Sequence, residues 1–215
     1  MLTEDAVRFR RALLGVAIFI GLLWIIEGLD NGLHLHLARF GVLPRVAHGL
    51  RGIICAPLIH GSWGHLLSNS LALIVLGVVF LYGYPRASRY VLPLVWLGSG
   101  LGVWLFARSS YHFGASGLAH GLMFFIFVSG ILRRDRLSIG LSLIVFFLYG
   151  GMVWTIFPQQ PGISYESHFF GALMGVVGAF AFRHCDPPLP EKTYDWEREP
   201  NNDPWPEEGS DGSPR

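Results

Sequence analysis

The feature that most constrains this chain is a series of apolar stretches, each long enough to cross a lipid bilayer. A membrane-spanning helix needs about 20 mainly apolar residues. The six stretches of that kind lie at residues 11–29, 63–82, 89–107, 116–132, 137–157 and 168–183. The composition, 52% hydrophobic and 14% charged, excludes an ordinary soluble domain. We therefore predict an all-α polytopic membrane protein with a bundle of six transmembrane helices.

Charged residues divide the chain into three parts. Nine of the 15 acidic residues lie in the last thirty positions, which are also rich in proline. Such a segment has too few apolar residues to form a core. The sequence predicts a short cytoplasmic N-terminal segment at 1–10, a membrane domain at 11–185 and a disordered acidic cytoplasmic tail at 186–215.

Arginines indicate the orientation of the chain, because positive residues concentrate in cytoplasmic loops. With a cytoplasmic N-terminus, eight arginines fall in the inner segments (8, 10, 11, 86, 89, 133, 134 and 136). Four fall in the outer loops (39, 45, 51 and 108). Both termini are therefore expected to be cytoplasmic.

Three polar motifs enter predicted helices from the same side of the membrane. "HGSWGHLLSN" enters the second helix, "GASG" the fourth and "SHFFG" the sixth. Polar side chains within membrane spans are costly and normally face the bundle interior or a water-filled cavity. Their shared depth predicts one site at the outer end of the bundle.

A serine and a histidine are the reactive pair in this prediction. Ser116 begins the fourth helix between Gly114 and Gly117, which permit a tight entry and leave room for a substrate backbone. His168 opens the sixth helix. Gly117 and Gly121 on the fourth helix, and Gly171, Gly175 and Gly178 on the sixth, form faces that let two membrane helices approach closely. That approach would bring the Ser116 hydroxyl near the His168 ring, the minimum arrangement for nucleophilic acyl transfer.

Two further polar residues share one face of the second helix. His65 and Asn69 are four residues apart, and both side chains can donate hydrogen bonds to a developing negative charge. The same pair could instead only hold helices together.

In these motifs and their order the chain resembles the rhomboid intramembrane serine proteases, over residues 12–184. The resemblance implies a Ser116–His168 dyad without a third, acidic member, and an oxyanion hole made by His65, Asn69 and the Ser116 backbone N–H. We therefore expect an endopeptidase that cleaves transmembrane or juxtamembrane segments of other proteins. The prolines and glycine of "FPQQPGISYESH" break the fifth and sixth helices, so this segment is the expected lid. The resemblance further implies that substrates enter beside the fifth helix. We expect a bacterial inner membrane, with the site open to the outer side.

The chain departs from this family at two positions. The residue one turn below the nucleophile, commonly aromatic, is His120, which could stack under the catalytic imidazole or form hydrogen bonds in the core. In the first outer loop Arg51 lies nine residues before His60, without the tryptophan that often precedes the arginine. The anchoring of that loop is expected to differ, with His60 in a supporting role.

Two other functions fit parts of the sequence. His60, His65, His112, His120 and His168 could line a metal-binding or transport site, but no carboxylate or cysteine accompanies them and the "GASG" motif would stay unexplained. A rhomboid relative that only binds membrane segments usually lacks the serine or the histidine, and both are present here. We expect membrane lipid as the surroundings and no cofactor, metal or nucleic-acid partner.

Overall fold

The computed structural model describes residues 3–158 and 164–186, and within them the regular secondary structure is helical. The longer helices are α1 (Glu4–Leu33), α3 (Trp63–Gly83), α4 (Ser88–Phe106), α5 (Ser116–Arg133), α6 (Arg136–Tyr149) and α7 (Tyr165–Ala181). The single-turn helix α2 (Gly52–Cys55) lies between α1 and α3. A 3₁₀ helix, Gly150–Ile156, extends α6. The all-α prediction is confirmed for these residues.

Five helices in the described ranges are long and apolar enough to cross a membrane, rather than the six predicted. They are α1, α3, α4, α5 and α6 with its 3₁₀ extension. The predicted sixth span is the 17-residue α7. It rises about 26 Å, slightly less than a hydrocarbon core of roughly 30 Å.

The first helix begins earlier than predicted. Thr3 caps its N-terminus by accepting a hydrogen bond from the Ala6 backbone N–H, and Glu4 and Asp5 occupy the first turn. Carboxylates there are stabilised by the helix dipole. Residues 4–10, predicted as a separate segment, are therefore part of α1.

The connection between α1 and α3 is a chain of short helical turns rather than an open loop. Its 3₁₀ turns are Leu37–Phe40, Ala47–Arg51 and Ala56–Leu58. Val42 pairs with His112 in an isolated antiparallel bridge, with both N–H···O distances 2.9 Å. Arg51 donates to the Arg39 carbonyl at 3.0 Å and lies over the Phe40 ring. This arginine anchors the loop without a neighbouring tryptophan.

Glycines bring α5 and α7 into close contact along their N-terminal halves, as the spacing predicts. A Cβ at Gly171 would overlap the Gly117 carbonyl, and a Cβ at Gly175 would overlap the Gly121 carbonyl. Gly178 instead faces Val91 of α4. Gly117 meets Gly171 and Gly121 meets Gly175, so α5 and α7 run in the same direction. Their N-terminal turns therefore lie side by side.

At the other end of the bundle Asp186 is buried against the start of α4. Its two carboxylate oxygens accept hydrogen bonds from the backbone N–H groups of Arg86 and Ala87, both at 2.9 Å. The folded part of the chain therefore includes Asp186, which the sequence prediction places in the tail. Residues 187–215, the rest of that tail, and residues 159–163 of the predicted lid lie outside the described residues.

Candidate active site

The three polar motifs meet around one cavity of about 530 Å³. Residues of α3, α5, α7 and the loops beside them line it: Gly61, Ser62, His65, Ser68, Asn69, Tyr111, Phe113, Ser116, Ser164 and His168. Four of the predicted site residues thus share one space, namely Ser116, His168, His65 and Asn69. The site lies at the N-terminal ends of α3, α5 and α7. Because α5 and α7 pack in parallel, Ser116 and His168 lie at the same end of the bundle.

The Ser116 hydroxyl donates a hydrogen bond to His168 Nε2, with an O–N distance of 2.9 Å. The other ring nitrogen, Nδ1, lies 3.0 Å from the Thr155 carbonyl oxygen. A carbonyl only accepts hydrogen bonds, so Nδ1 carries the proton and Nε2 is free to act as a base. This is the arrangement of a nucleophile, a base and a group that orients the base.

His120 stacks directly on the His168 ring, with the centroids 4.0 Å apart and the planes 9° from parallel. It also forms hydrogen bonds: Nδ1 donates to the Ser116 carbonyl at 2.7 Å, and Nε2 lies 2.8 Å from the Thr155 hydroxyl oxygen. The two possibilities left open by the sequence, stacking and hydrogen bonding, therefore both occur. His120 connects the nucleophile's backbone to the residue that orients the base.

His65 and Asn69 lie on the face of α3 that borders the cavity. Asn69 is buried, and its amide nitrogen has no hydrogen-bond partner among the described residues. A buried donor without a partner is uncommon and calls for an explanation. An anionic oxygen in the cavity would supply the missing acceptor.

The turn that precedes Ser116 depends on Gly114 and His60. Gly114 has φ +116°, which favours glycine, and a Cβ there would lie 2.6 Å from the His65 ring. The Ala115 backbone N–H points to His60 Nε2 at 3.4 Å. Burial, together with the nearby His65, lowers the pKa of His60 to about 4, consistent with a neutral ring that accepts this hydrogen bond. Both residues thus contact the turn that leads into Ser116.

Of the two roles predicted for Gly117, the structure shows the packing of α5 against α7. A Cβ at this position would lie 2.9 Å from the Ser167 carbonyl oxygen of α7. The space beside Gly117 is therefore filled by α7, and the glycine serves helix packing rather than leaving room for a substrate backbone.

Of the residues that flank the site, Tyr111 lines the cavity and His112 does not. His112 is 2% exposed, and its Nδ1 lies 2.6 Å from the Ser164 hydroxyl, behind the cavity wall. Glu166 contacts Arg108, with a nitrogen–oxygen distance of 3.5 Å, while the His168 Nδ1 is already bonded to Thr155. Glu166 therefore does not occupy the place of a third catalytic residue.

Thr155 is the site residue that sequence reasoning missed. It lies 13 positions before His168 in the 3₁₀ extension of α6 and contributes its backbone carbonyl to the base. A backbone carbonyl leaves no side-chain pattern in a sequence. Within the described residues, no three histidine, cysteine, aspartate or glutamate side chains are grouped as metal ligands.

With this geometry in place, the comparison with protein families gives a match to the Rhomboid domain over residues 47–185. The chain is therefore a member of the rhomboid family of integral membrane proteins. Its relatives include uncharacterized proteins of Mycobacterium tuberculosis and Mycobacterium leprae. The first is 37% identical over 173 residues, 75% of this chain and 71% of the relative. The second is 35% identical over 191 residues, 83% and 75% of the two chains.

Proposed function

We propose that this protein is an intramembrane serine endopeptidase that cleaves transmembrane or juxtamembrane segments of other membrane proteins. Rhomboid-domain proteins are typically serine proteases. The single observation that carries the proposal for this chain is the 2.9 Å hydrogen bond from the Ser116 hydroxyl to His168 Nε2, inside a cavity lined by further donors.

In this mechanism Ser116 Oγ attacks the carbonyl carbon of the scissile peptide bond while His168 Nε2 takes the hydroxyl proton. The developing oxyanion accepts hydrogen bonds from Asn69, His65 and the Ser116 backbone N–H. His168 then gives the proton to the leaving amine, which departs as the C–N bond breaks. A water molecule, deprotonated by the same histidine, hydrolyses the acyl-enzyme and restores Ser116.

The membrane placement belongs to the same proposal. We place the protein in a bacterial inner membrane with both termini cytoplasmic, so that the cavity opens to the outer side. A cysteine introduced at Ser116 should then react with a membrane-impermeant thiol reagent added outside intact cells. Reaction only after the cytoplasmic side is exposed would show that the orientation is inverted.

A serine-reactive fluorophosphonate probe tests the chemistry directly on purified protein. Wild-type protein should become labelled, whereas Ser116→Ala and His168→Ala should not. Ser164→Ala is a matched control, because that hydroxyl also lines the cavity but lies beside His112 rather than His168. Equal labelling of wild type and Ser116→Ala would refute the proposal. Both a metal transporter and an inactive relative predict no labelling of either protein.

A further inference from the structure

A second cavity lies at the opposite end of the bundle, between the start of α1 and the turn that joins α3 to α4. Its volume is about 680 Å³, and its wall contains four arginines, Arg8, Arg11, Arg86 and Arg89, and one acidic residue, Glu4. None of these four side chains forms a hydrogen bond or an ion pair with any residue of 3–158 or 164–186. The wall therefore offers an excess of positive charge to a ligand.

These arginines come from two separate elements that face each other across the cavity. Arg8 and Arg11 are three residues apart on α1. Arg86 lies in the turn before α4, and Arg89 lies in the first turn of that helix. Asp186 already accepts the hydrogen bonds of the Arg86 and Ala87 backbone N–H groups. The binding groups that remain are the guanidinium groups, which suit phosphate and carboxylate oxygens.

An apolar groove lies next to this cavity, on the side toward the middle of the bundle. It has a volume of about 300 Å³, and glycine and apolar residues of α1, α3, α4 and α5 line it. Leu81 lines both spaces. On α1 the lining passes from Arg11 and Ala12 to Gly15, Val16 and Phe19, one turn after another.

A charged cavity beside an apolar groove matches the charged headgroup and the acyl chain of a phospholipid. We propose that this cleft binds one anionic phospholipid, with the phosphate among the four arginines and one acyl chain in the groove. The proposal is independent of protease activity. Arginines are common at the cytoplasmic ends of membrane helices, but that tendency does not explain the apolar groove beside them.

The acidic tail is the other candidate occupant. Residues 187–215 contain eight acidic and three basic residues and follow directly on Asp186. Their charge matches the arginines, but a segment rich in proline, aspartate and glutamate does not match a groove lined by valine, leucine and phenylalanine. The lipid accounts for both parts of the cleft.

Native mass spectrometry of the detergent-solubilised full chain tests this site by titration with phosphatidylglycerol and with phosphatidylcholine of the same acyl chains. We expect a single high-affinity phosphatidylglycerol and much weaker binding of phosphatidylcholine. The double variant Arg11→Gln/Arg89→Gln should weaken phosphatidylglycerol binding about thirty-fold. The single variants Arg11→Gln and Arg10→Gln are the charge-matched pair, because each removes one positive charge from α1 and only Arg11 lines the cavity.

The groove has its own pair of variants. Gly15 lines the groove, and a Cβ there would make an ordinary contact with Leu81 at 3.7 Å. The larger side chain of Gly15→Leu is therefore expected to occupy part of the groove. It should weaken phosphatidylglycerol binding about tenfold, whereas Gly21→Leu, with no atom within 4 Å of its Cβ, should not. Thermal unfolding would establish that all variants are folded.

Three results would overturn the assignment. The first is equal affinity for the two lipids. The second is an equal effect of Arg10→Gln and Arg11→Gln, which would mean that only the general positive charge of this end of the bundle attracts the lipid. The third is phosphatidylglycerol binding seen only after removal of residues 187–215, which would make the tail the occupant in the full chain.

Discussion

Helices α5 and α6 are neighbours in the chain and in the bundle, yet they are packed very differently. In the most apolar 18-residue stretch of α5, 61% of the residues are buried, against 17% for α6 with its 3₁₀ extension. Glycine contacts hold α5 against α7, whereas α6 exposes large side chains such as Phe147 (80%) and Trp154 (66%). The helices that carry Ser116 and His168 are thus held by close packing, whereas α6 makes far fewer buried contacts with the rest of the bundle.

The largest effect is expected at the dyad between α5 and α7. Ser116→Ala and His168→Ala should each abolish cleavage of a membrane substrate, because the base and the nucleophile act as one unit. The double variant should be no slower than either single variant, measured as single-turnover cleavage in proteoliposomes. If the two losses were additive, the residues would act independently and the dyad would be refuted.

Removal of the unpartnered Asn69 donor should have the next largest effect. Asn69→Ala should lower kcat roughly 100- to 1000-fold with little change in KM, because the lost hydrogen bond forms only with the oxyanion. Ser68→Ala is the control: its hydroxyl lines the cavity but donates to the Gly64 carbonyl at 2.8 Å. A rise in KM at unchanged kcat would instead assign Asn69 to substrate binding.

The packing difference itself can be tested with one glycine from each region. Gly171→Ala should destabilise the protein by about 2 kcal/mol, because the added methyl group would overlap the Gly117 carbonyl. Gly140→Ala, in α6, meets no atom within 4 Å and should be neutral or slightly stabilising. The measurement is thermal unfolding in detergent. Equal melting temperatures would contradict the close α5–α7 contact.

His120 is expected to position the base through hydrogen bonds as well as stacking. His120→Phe keeps an aromatic ring but loses the bonds to the Ser116 carbonyl and the Thr155 hydroxyl, and should lower kcat about tenfold. Thr155→Val should do the same, and Thr155→Ser, which keeps the hydroxyl, should restore activity. In a double-mutant cycle His120→Phe and Thr155→Val should not be additive. Full additivity would mean that the two side chains act separately.

The smallest effect is expected on the exposed side of the bundle. The Tyr149 hydroxyl donates to the Leu71 carbonyl at 3.2 Å, which ties α6 to α3. Tyr149→Phe removes this hydrogen bond, so α6 should separate from α3 more easily. If bulky transmembrane substrates enter between these two helices, their cleavage should become about threefold faster. Phe147→Leu is the control, because Phe147 is mostly exposed and has no such hydrogen bond. Slower cleavage by Tyr149→Phe would place substrate entry elsewhere.

Local sequence patterns predict the starts of two helices and the close packing of α5 against α7. Ser116 and Trp63 begin helices at the predicted residues, because the polar motifs before them end as continuous apolar runs begin. The glycine spacings on α5 and α7 predict their close packing, because helical periodicity places those residues on one face. The Ser116–His168 contact followed from that packing.

Other features were decided only by the tertiary structure. Thr155 orients His168 through a backbone carbonyl, and Asp186 caps a helix 100 residues earlier in the chain. Neither has a sequence signature, because backbone groups are the same at every residue and the partners are distant in sequence. The apolar runs, the arginines and the reactive side chains were determined by the sequence alone, since each depends on residue type and local spacing. The orientation of the base and the shape of both cavities depend on how separate helices pack.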